Sequence, residues 1–259
     1  MGYAFFAFIL TFLLFLGMLS MLEIGRRIGN RRLAVDPEGA RAGTGTVEGA
    51  VFALLGLLVA FTFSGATHRF DERRDLIVEE TNDIGTAYLR LDLLPEAARP
   101  RLKELFRHYV DTRIEVYRKI RDTAAFQAEL ARSNALQGEI WRAAVAASES
   151  QNAAADATKL LLPALNTMFD ITTTRTMANL LHPPFVIYLM LFGVALISAL
   201  LAGYGMAGGH SRNWLHMVGF ALVLAAAVYV TLDLEFPRRG LIRVDDFDQA
   251  LVDLRSGMR

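Results

Sequence analysis

The side chains that hold metals, attack carbonyls or move protons are sparse and scattered in this chain. Its histidines are His68, His108, His182, His210 and His216, and no two stand one helical turn apart, so no helix face presents an imidazole pair to a metal. Cysteine is absent, which excludes thiolate metal sites, thiol nucleophiles and disulfides. The densest acidic group is Glu79, Glu80 and Asp83. Carboxylates at that spacing offer the oxygens a divalent cation takes. Arg73 and Arg74 lie just upstream, however, and a solvated, charged helix face is the simpler expectation. Gly203-Tyr204-Gly205-Met206-Ala207-Gly208 matches the Gly-x-Gly-x-x-Gly pattern. That pattern cradles a pyrophosphate only between a strand and a helix, and here it joins two long apolar stretches. Neither a Gly-x-Ser-x-Gly elbow nor a His-Glu-x-x-His pair occurs. The expectation is a protein with no catalytic residues, no metal and no cofactor, and not an enzyme.

The residues with a clear pattern are small, hydroxylic or apolar, and they fall between 49 and 67. Gly49, Ala53, Gly56 and Ala60, continued by Ser64, form a small-residue face that lets helices approach closely. Thr62, Ser64 and Thr67 concentrate hydroxyls at its end. Leu55, Val59 and Phe63, spaced by four, form an apolar stripe that would make a hydrophobic constriction if several copies ringed an axis. The same spacings also suit ordinary packing, with the small face against another helix and the stripe against lipid or protein.

These residues belong to one of four apolar stretches, Tyr3–Leu22, Gly49–Ala66, Phe185–Ala202 and Trp214–Leu232. Each is free of charge and about 20 residues long, enough at ~1.5 Å per residue to cross roughly 30 Å of hydrocarbon. Charged residues are 21% of the chain and crowd into the remaining segments, while the net charge is zero. No strongly basic face is implied, so nucleic acid is not an expected partner. Glu23, Glu48, Asp233 and Glu235 stand at span ends, not inside the spans, where carboxylates mark proton and substrate pathways. The spans also lack the Gly/Pro breaks that build transporter binding sites. No basic residue precedes the first stretch, and Glu23-Ile24-Gly25-Arg26-Arg27 follows it, which reads as a retained span and not a signal peptide. At the start of the second, Glu48 suits the positive end of a helix dipole.

The expected organisation is all-α: a transmembrane hairpin in residues 1–66, a helical bundle in 67–182, a second hairpin in 183–234 and a tail in 235–259. Arg26–Thr46 reads as a turn-rich connection. Nothing between Ala66 and Leu94 stops the second helix, which should run on into the insert with a seam of Phe70, Arg74, Ile77, Thr81, Ile84, Tyr88 and Leu91. Pro95 and Pro100 suit the opening turn of the next helix, and Pro163 predicts a kink in a later one. In the tail, Phe247, Ala250, Leu251 and Leu254 outline a short amphipathic helix capped near Asp245 or Asp246, docked on its own insert or on a neighbouring chain.

Ala53-Leu54-Leu55-Gly56-Leu57-Leu58-Val59-Ala60-Phe61-Thr62-Phe63-Ser64-Gly65-Ala66 resembles a bacterial family of bestrophin-like membrane proteins. So do Arg69-Phe70-Asp71-Glu72-Arg73-Arg74, Ile84-Gly85-Thr86-Ala87-Tyr88-Leu89-Arg90 and Pro237-Arg238-Arg239-Gly240-Leu241-Ile242-Arg243-Val244. The family is distantly similar to the bestrophins, which are pentameric anion channels with four spans per subunit and a helical cytosolic domain between spans two and three. The resemblance implies a second helix that lines the pore, with Leu55, Val59 and Phe63 similar in spacing to the bestrophin neck. No acidic loop resembling the bestrophin calcium clasp occurs in the tail. The implied protein is a multi-pass, homo-oligomeric ion channel of the bacterial inner membrane, in contact with lipid and inorganic ions such as chloride. The alternative is a non-conducting scaffold or sensor whose insert binds a protein partner.

Orientation is finely balanced. One side carries Arg26, Arg27, Arg31, Arg32, Arg41 and Arg212, and the other Arg69, Arg73, Arg74, Arg175, Arg238, Arg239 and Arg243. Cytoplasmic loops are the Lys/Arg-rich ones, and six against seven does not decide between the two sides; the run after the first span favours that loop inside. The bestrophin resemblance implies the reverse, with insert and termini in the cytoplasm. A reporter fused at Ala125 should be active only if it folds in the cytoplasm; activity of a periplasm-only reporter there would reverse the assignment.

Overall fold

A computed structural model describes residues 3–150, 152–209 and 211–258, apart from the Arg41 side chain; His210 and Arg259 lie outside the described residues. All regular structure in it is helical: α1 (Tyr3–Val35), α2 (Thr44–Arg90), α3 (Arg99–Arg118), α4 (Thr123–Ser148), α5 (Ala157–Leu180), α6 (Phe185–Gly205), α7 (Trp214–Glu235) and α8 (Gln249–Gly257), with short 3-10 turns between. Four apolar stretches, in α1, α2, α6 and α7, are long enough to cross a membrane. The chain forms two compact units, Met1–Phe70 with His182–Arg243 and Asp71–Leu181 with Val244–Arg259. The tail is therefore divided, its first residues grouping with the apolar spans and its last with the insert.

In the first unit α1 lies against α6 and α7, around a core that includes Leu14, Met18, Leu22, Leu191, Ala199 and Ala221. The α1–α6 contact is backbone on backbone. A Cβ on Gly25 would stand 1.9 Å from the Leu200 carbonyl oxygen, one on Gly203 2.0 Å from that of Leu22, and one on Gly29 2.6 Å from the Ala207 Cβ. Side-chain association gains little in lipid, where tails are as apolar as leucine, so this close approach is what holds two such helices together. It also assigns the first glycine of the Gly-x-Gly-x-x-Gly pattern to packing. Gly208, with φ +89°, turns the chain after α6.

Of the expected Arg26–Thr46 connection, Arg26–Val35 is instead the continuation of α1 and Thr44–Thr46 the start of α2, which leaves the turns between them. Glu23 accepts from Arg27 at 2.9 Å, one turn on, and from Arg212. Gly25 and Gly29 are read by their packing and not as helix breakers, and α1 ends just before Asp36-Pro37, where proline forbids the preceding residue an α conformation.

In the second unit the later half of α2 joins α3, α4, α5 and α8 around Ile84, Leu91, Phe106, Tyr109, Ile140 and Leu165. Here α2 runs unbroken to Arg90, as its uninterrupted sequence predicts. Pro100 occupies the opening turn of α3. Asp122 caps α4 by accepting from the Ala125 N–H at 3.1 Å, and α5 carries Pro163 within it. Arg73 donates to the Ala178 and Leu181 carbonyls at 3.0 and 2.8 Å, satisfying groups the end of α5 leaves without intrahelical donors.

The solvated-face expectation fails for Glu80. Its side chain is fully buried, one carboxylate oxygen meeting Arg113 Nε and the other Arg175 Nη1. Arg175 also bonds Asp248 at 2.6 Å and lies 3.5 Å over the Tyr117 ring, whose hydroxyl accepts from Arg113. Glu80 falls between Ile77 and Ile84 on the buried side of α2, so burial was set by the helix face and the arginines had to follow. Glu79 stays exposed. Asp83 has one buried oxygen without a partner among the described residues, and its burial, together with the charges of Glu79 and Glu80, raises its pKa.

The tail helix docks on its own insert. Leu251 is fully buried, Asp248 reaches Arg175, and Arg255 grips Asp111 at 2.8 and 3.1 Å. The 3-10 turn begins at Asp245, and Asp248 precedes α8 without capping it, because its carboxylate is committed to Arg175.

Replacing Glu80 by Gln should cost about 3–5 kcal/mol of stability, since two desolvated guanidinium groups lose their shared counter-charge. Burial alone would push the Glu80 carboxyl up; the two arginines outweigh it and hold it below its ordinary 4.5, at about 2. A depressed folded value means that the stabilisation is complete above the ordinary value and is lost as pH falls through the folded one. Thermal melts of the wild type should therefore drop between pH 4.5 and about 2, and the Gln variant should show a shallower drop over that window.

Candidate functional site

Among the four spans, α2 is the least covered by its own chain: 11% of its apolar window is buried, against 33% for α7. It meets the core of its unit through Leu55, Leu58 and Val59, and through the Phe52 ring, edge-on to Phe220 at 6.3 Å. Leu55 is 4% exposed, Val59 is half-buried, and Phe63 is 43% exposed. A step of four residues overshoots a helical turn by about 40°, so the stripe rotates by roughly 80° from its first residue to its last. It thus winds out of the core to the surface, and its three residues do not share one environment.

The small residues do. Gly49, Ala53, Gly56, Ala60 and Ser64 are all exposed, and a Cβ built on Gly49 or Gly56 meets nothing within 4 Å. Phe63 adjoins this face. Two of the hydroxyls are turned inward on their own helix: Thr62 donates to the Leu58 carbonyl at 2.7 Å, and Thr67 to that of Phe63 at 3.0 Å. Their protons are committed to the backbone while their lone pairs remain outward-facing acceptors. The structure therefore brings together the small-residue face with Phe63 and Ser64, and separates Leu55 from them.

A second arrangement in the same unit, not anticipated from the sequence, surrounds the end of α7. Glu235 is fully buried. It accepts from Arg69 Nε at 3.0 Å and Nη2 at 2.7 Å, and lies 3.1 Å from His182 Nδ1. The His182 ring stacks on Phe236 at 4.3 Å. Asp233 is 1% exposed and accepts from the Leu241 and Ile242 amides at 2.7–2.9 Å. A Cβ on Gly240 would fall 2.2 Å from Asp233 Oδ1, so only glycine lets the chain fold over that carboxylate. Pro237–Ile242 is thus a loop wrapped on an acid. Its signal in the sequence was the pair Asp233 and Glu235 at the close of an apolar span, followed by Pro237 and Gly240.

Glu235 and Asp233 are saturated by donors, and among the described residues no group of three or more His, Asp or Glu side chains is placed to hold a metal. What α2 offers is a long, uncharged, small-residue surface with hydroxyl acceptors at one end, suited to contact with another helix, with lipid or with hydrated ions.

A family model described as the bestrophin-like domain matches residues 7–247. No curated protein matches the chain. Among solved structures, the chain is similar over 99% of its own length and 99% of the other's to a point mutant of a bacterial bestrophin homolog from Klebsiella pneumoniae, with a TM-score of 0.73 and 14% sequence identity. At that identity the likeness is one of fold, the same all-helical architecture with four apolar helices. With all four apolar helices inside the matched region but for the first four residues of α1, this multi-pass membrane protein belongs to the bestrophin-like family.

Proposed function

We propose that several copies of the chain, five by analogy with the bestrophins, form a ring in the bacterial inner membrane and pass anions such as chloride along an axis lined by α2. The observation that carries this reading is the exposure of Gly49, Ala53, Gly56, Ala60 and Ser64 on a span that its own subunit leaves uncovered. One subunit of four spans encloses no aqueous path, whereas copies packed through a small-residue face bring their second helices close to a common axis. An uncharged lining holds no fixed charge to trap an ion of either sign, and a ring of exposed apolar side chains narrows and dewets such a path. Phe63 is the member of the apolar stripe placed to form that ring. Leu55 holds α2 to the subunit core, and Val59 stands between the two roles.

Two single substitutions separate these assignments. Phe63→Ala should raise anion flux in liposomes with little loss of thermal stability, because it vacates an exposed position. Leu55→Ala should cost about 2–5 kcal/mol as a cavity inside the subunit, and alter flux only as far as it weakens the protein. Unchanged flux in Phe63→Ala would remove the neck from α2.

Assembly is tested on the same helix. Detergent-corrected mass of the purified protein should show a ring, and a monomer or dimer would end the channel reading. Gly56→Leu has open space in the single chain, and leucine favours helix over glycine by roughly 1 kcal/mol. The subunit should therefore melt no lower while the ring dissociates. A ring that survives Gly56→Leu intact would assign this face to lipid.

A further inference from the structure

The start of α2 and the end of α6 border an open pocket of about 350 Å³ lined by Ala42, Gly43, Thr44, Glu48, Leu201 and Tyr204, with Val47 completing its wall. Among the described lining residues, Glu48 carries the one carboxylate. The Oε1 atom of Glu48 is buried and has no hydrogen-bond partner among the described residues. A buried, unanswered carboxylate oxygen is expensive, and is retained where something meets it. The site is also built around that carboxylate: a Cβ on Gly205 would stand 3.1 Å from Oε2, so glycine at this position leaves room for the acid. Tyr204 is fixed beside it by its hydroxyl, which donates to the Ala40 carbonyl at 2.9 Å.

Three chemistries meet in this pocket. The carboxylate calls for a cation or a donor. The opening turn of α2, at Gly45 and Thr46, presents helix N-terminal amides and contains no acidic side chain, a setting that favours an anion. Val47 and Leu201 supply apolar wall where two membrane spans end. A tyrosine at a span end is at home at headgroup depth. A donor cation, an anion and an apolar stem in one molecule describe a zwitterionic lipid.

We propose that this pocket binds a phospholipid with a primary-ammonium headgroup, its ammonium on the Glu48 carboxylate, its phosphate toward the first turn of α2 and its acyl chains along Val47 and Leu201. The three N–H donors of a primary ammonium suit a carboxylate better than a quaternary one does. Phosphatidylglycerol shares the phosphate and the chains but lacks the cation, and so isolates the role of Glu48. The inference requires only that the protein sits in a membrane, and stands or falls independently of conduction.

Native mass spectrometry of the detergent-purified full chain, offered equal phosphatidylethanolamine and phosphatidylglycerol, tests it. The wild type should retain phosphatidylethanolamine in roughly tenfold preference, the equivalent of one charge-assisted hydrogen bond at the weaker end of its range. Glu48→Gln should abolish that preference while keeping the wild-type melting temperature in lipid-free detergent. Gly205→Ala, which keeps the charge but presses a methyl group onto the carboxylate, should reduce it, and supplies the test should Glu48→Gln fail to fold. Equal retention of both lipids by the wild type, or an undiminished preference in the variants, would overturn the assignment. Free ethanolamine raising the melting temperature as far as the lipid does would overturn the lipid and leave a soluble amine as the ligand.

Discussion

A carboxylate taken out of water must be met by a cation or by several N–H donors, and this chain removes three of them almost completely. Glu80, Asp233 and Glu235 are each at most 1% exposed. Each is answered by groups outside its own helix: Glu80 by Arg113 and Arg175, Glu235 by Arg69 and His182, Asp233 by the amides of Leu241 and Ile242. An apolar contact can slide by a residue and lose little, but a buried charge that loses its partner costs several kcal/mol. These acids consequently set register. One fixes α2 against α3 and α5 in the helical unit; the others fix how the chain enters and leaves the end of α7 in the spanning unit.

The spanning unit follows a different rule, because lipid gives its helices no hydrophobic reason to associate. Its decisive contacts are the absent side chains of Gly25, Gly29 and Gly203, through which α1 and α6 approach to backbone distance. The same device recurs on α2 at Gly49 and Gly56, but there it meets nothing in the subunit. Single glycines with open space also occur on α6 and α7, at Gly193 and Gly219; on α2 they belong to an exposed face continued by Ala53, Ala60 and Ser64.

The four spans, the helical insert and the unbroken run of α2 were legible in the sequence because hydropathy and the lack of breakers act locally, over one or two turns. The amphipathic tail helix was legible too, though not which surface it would take. The failures share a cause. Arg26–Val35 has the glycine and arginines of a connection, and is helix because Gly29, like Gly25 just before it, serves a contact with α6 that no local rule can see. Glu80 looked solvated beside Glu79 and Asp83, although its spacing from Ile77 and Ile84 places it on the buried face; only two arginines, 33 and 95 residues away, make that burial tolerable. On α2, a regular spacing of four suggested one stripe, whereas the 3.6-residue turn rotates Leu55 into the core and Phe63 out of it. Periodicity names the residues that share a neighbourhood; which side of the helix is covered depends on the rest of the fold.

The ion pair between Arg175 and Asp248 has a consequence for how the protein is made. A ribosome delivers Glu80, Arg113 and Arg175 well before Asp248, so the helical unit can gather its core while one guanidinium edge still lacks its counter-charge. Leu251 and the Arg255–Asp111 contact arrive in the same last stretch. A chain released early, lacking those residues, would carry an open apolar groove and an unneutralised buried arginine. The tail helix is thus the segment whose placement lets the core of the helical unit close.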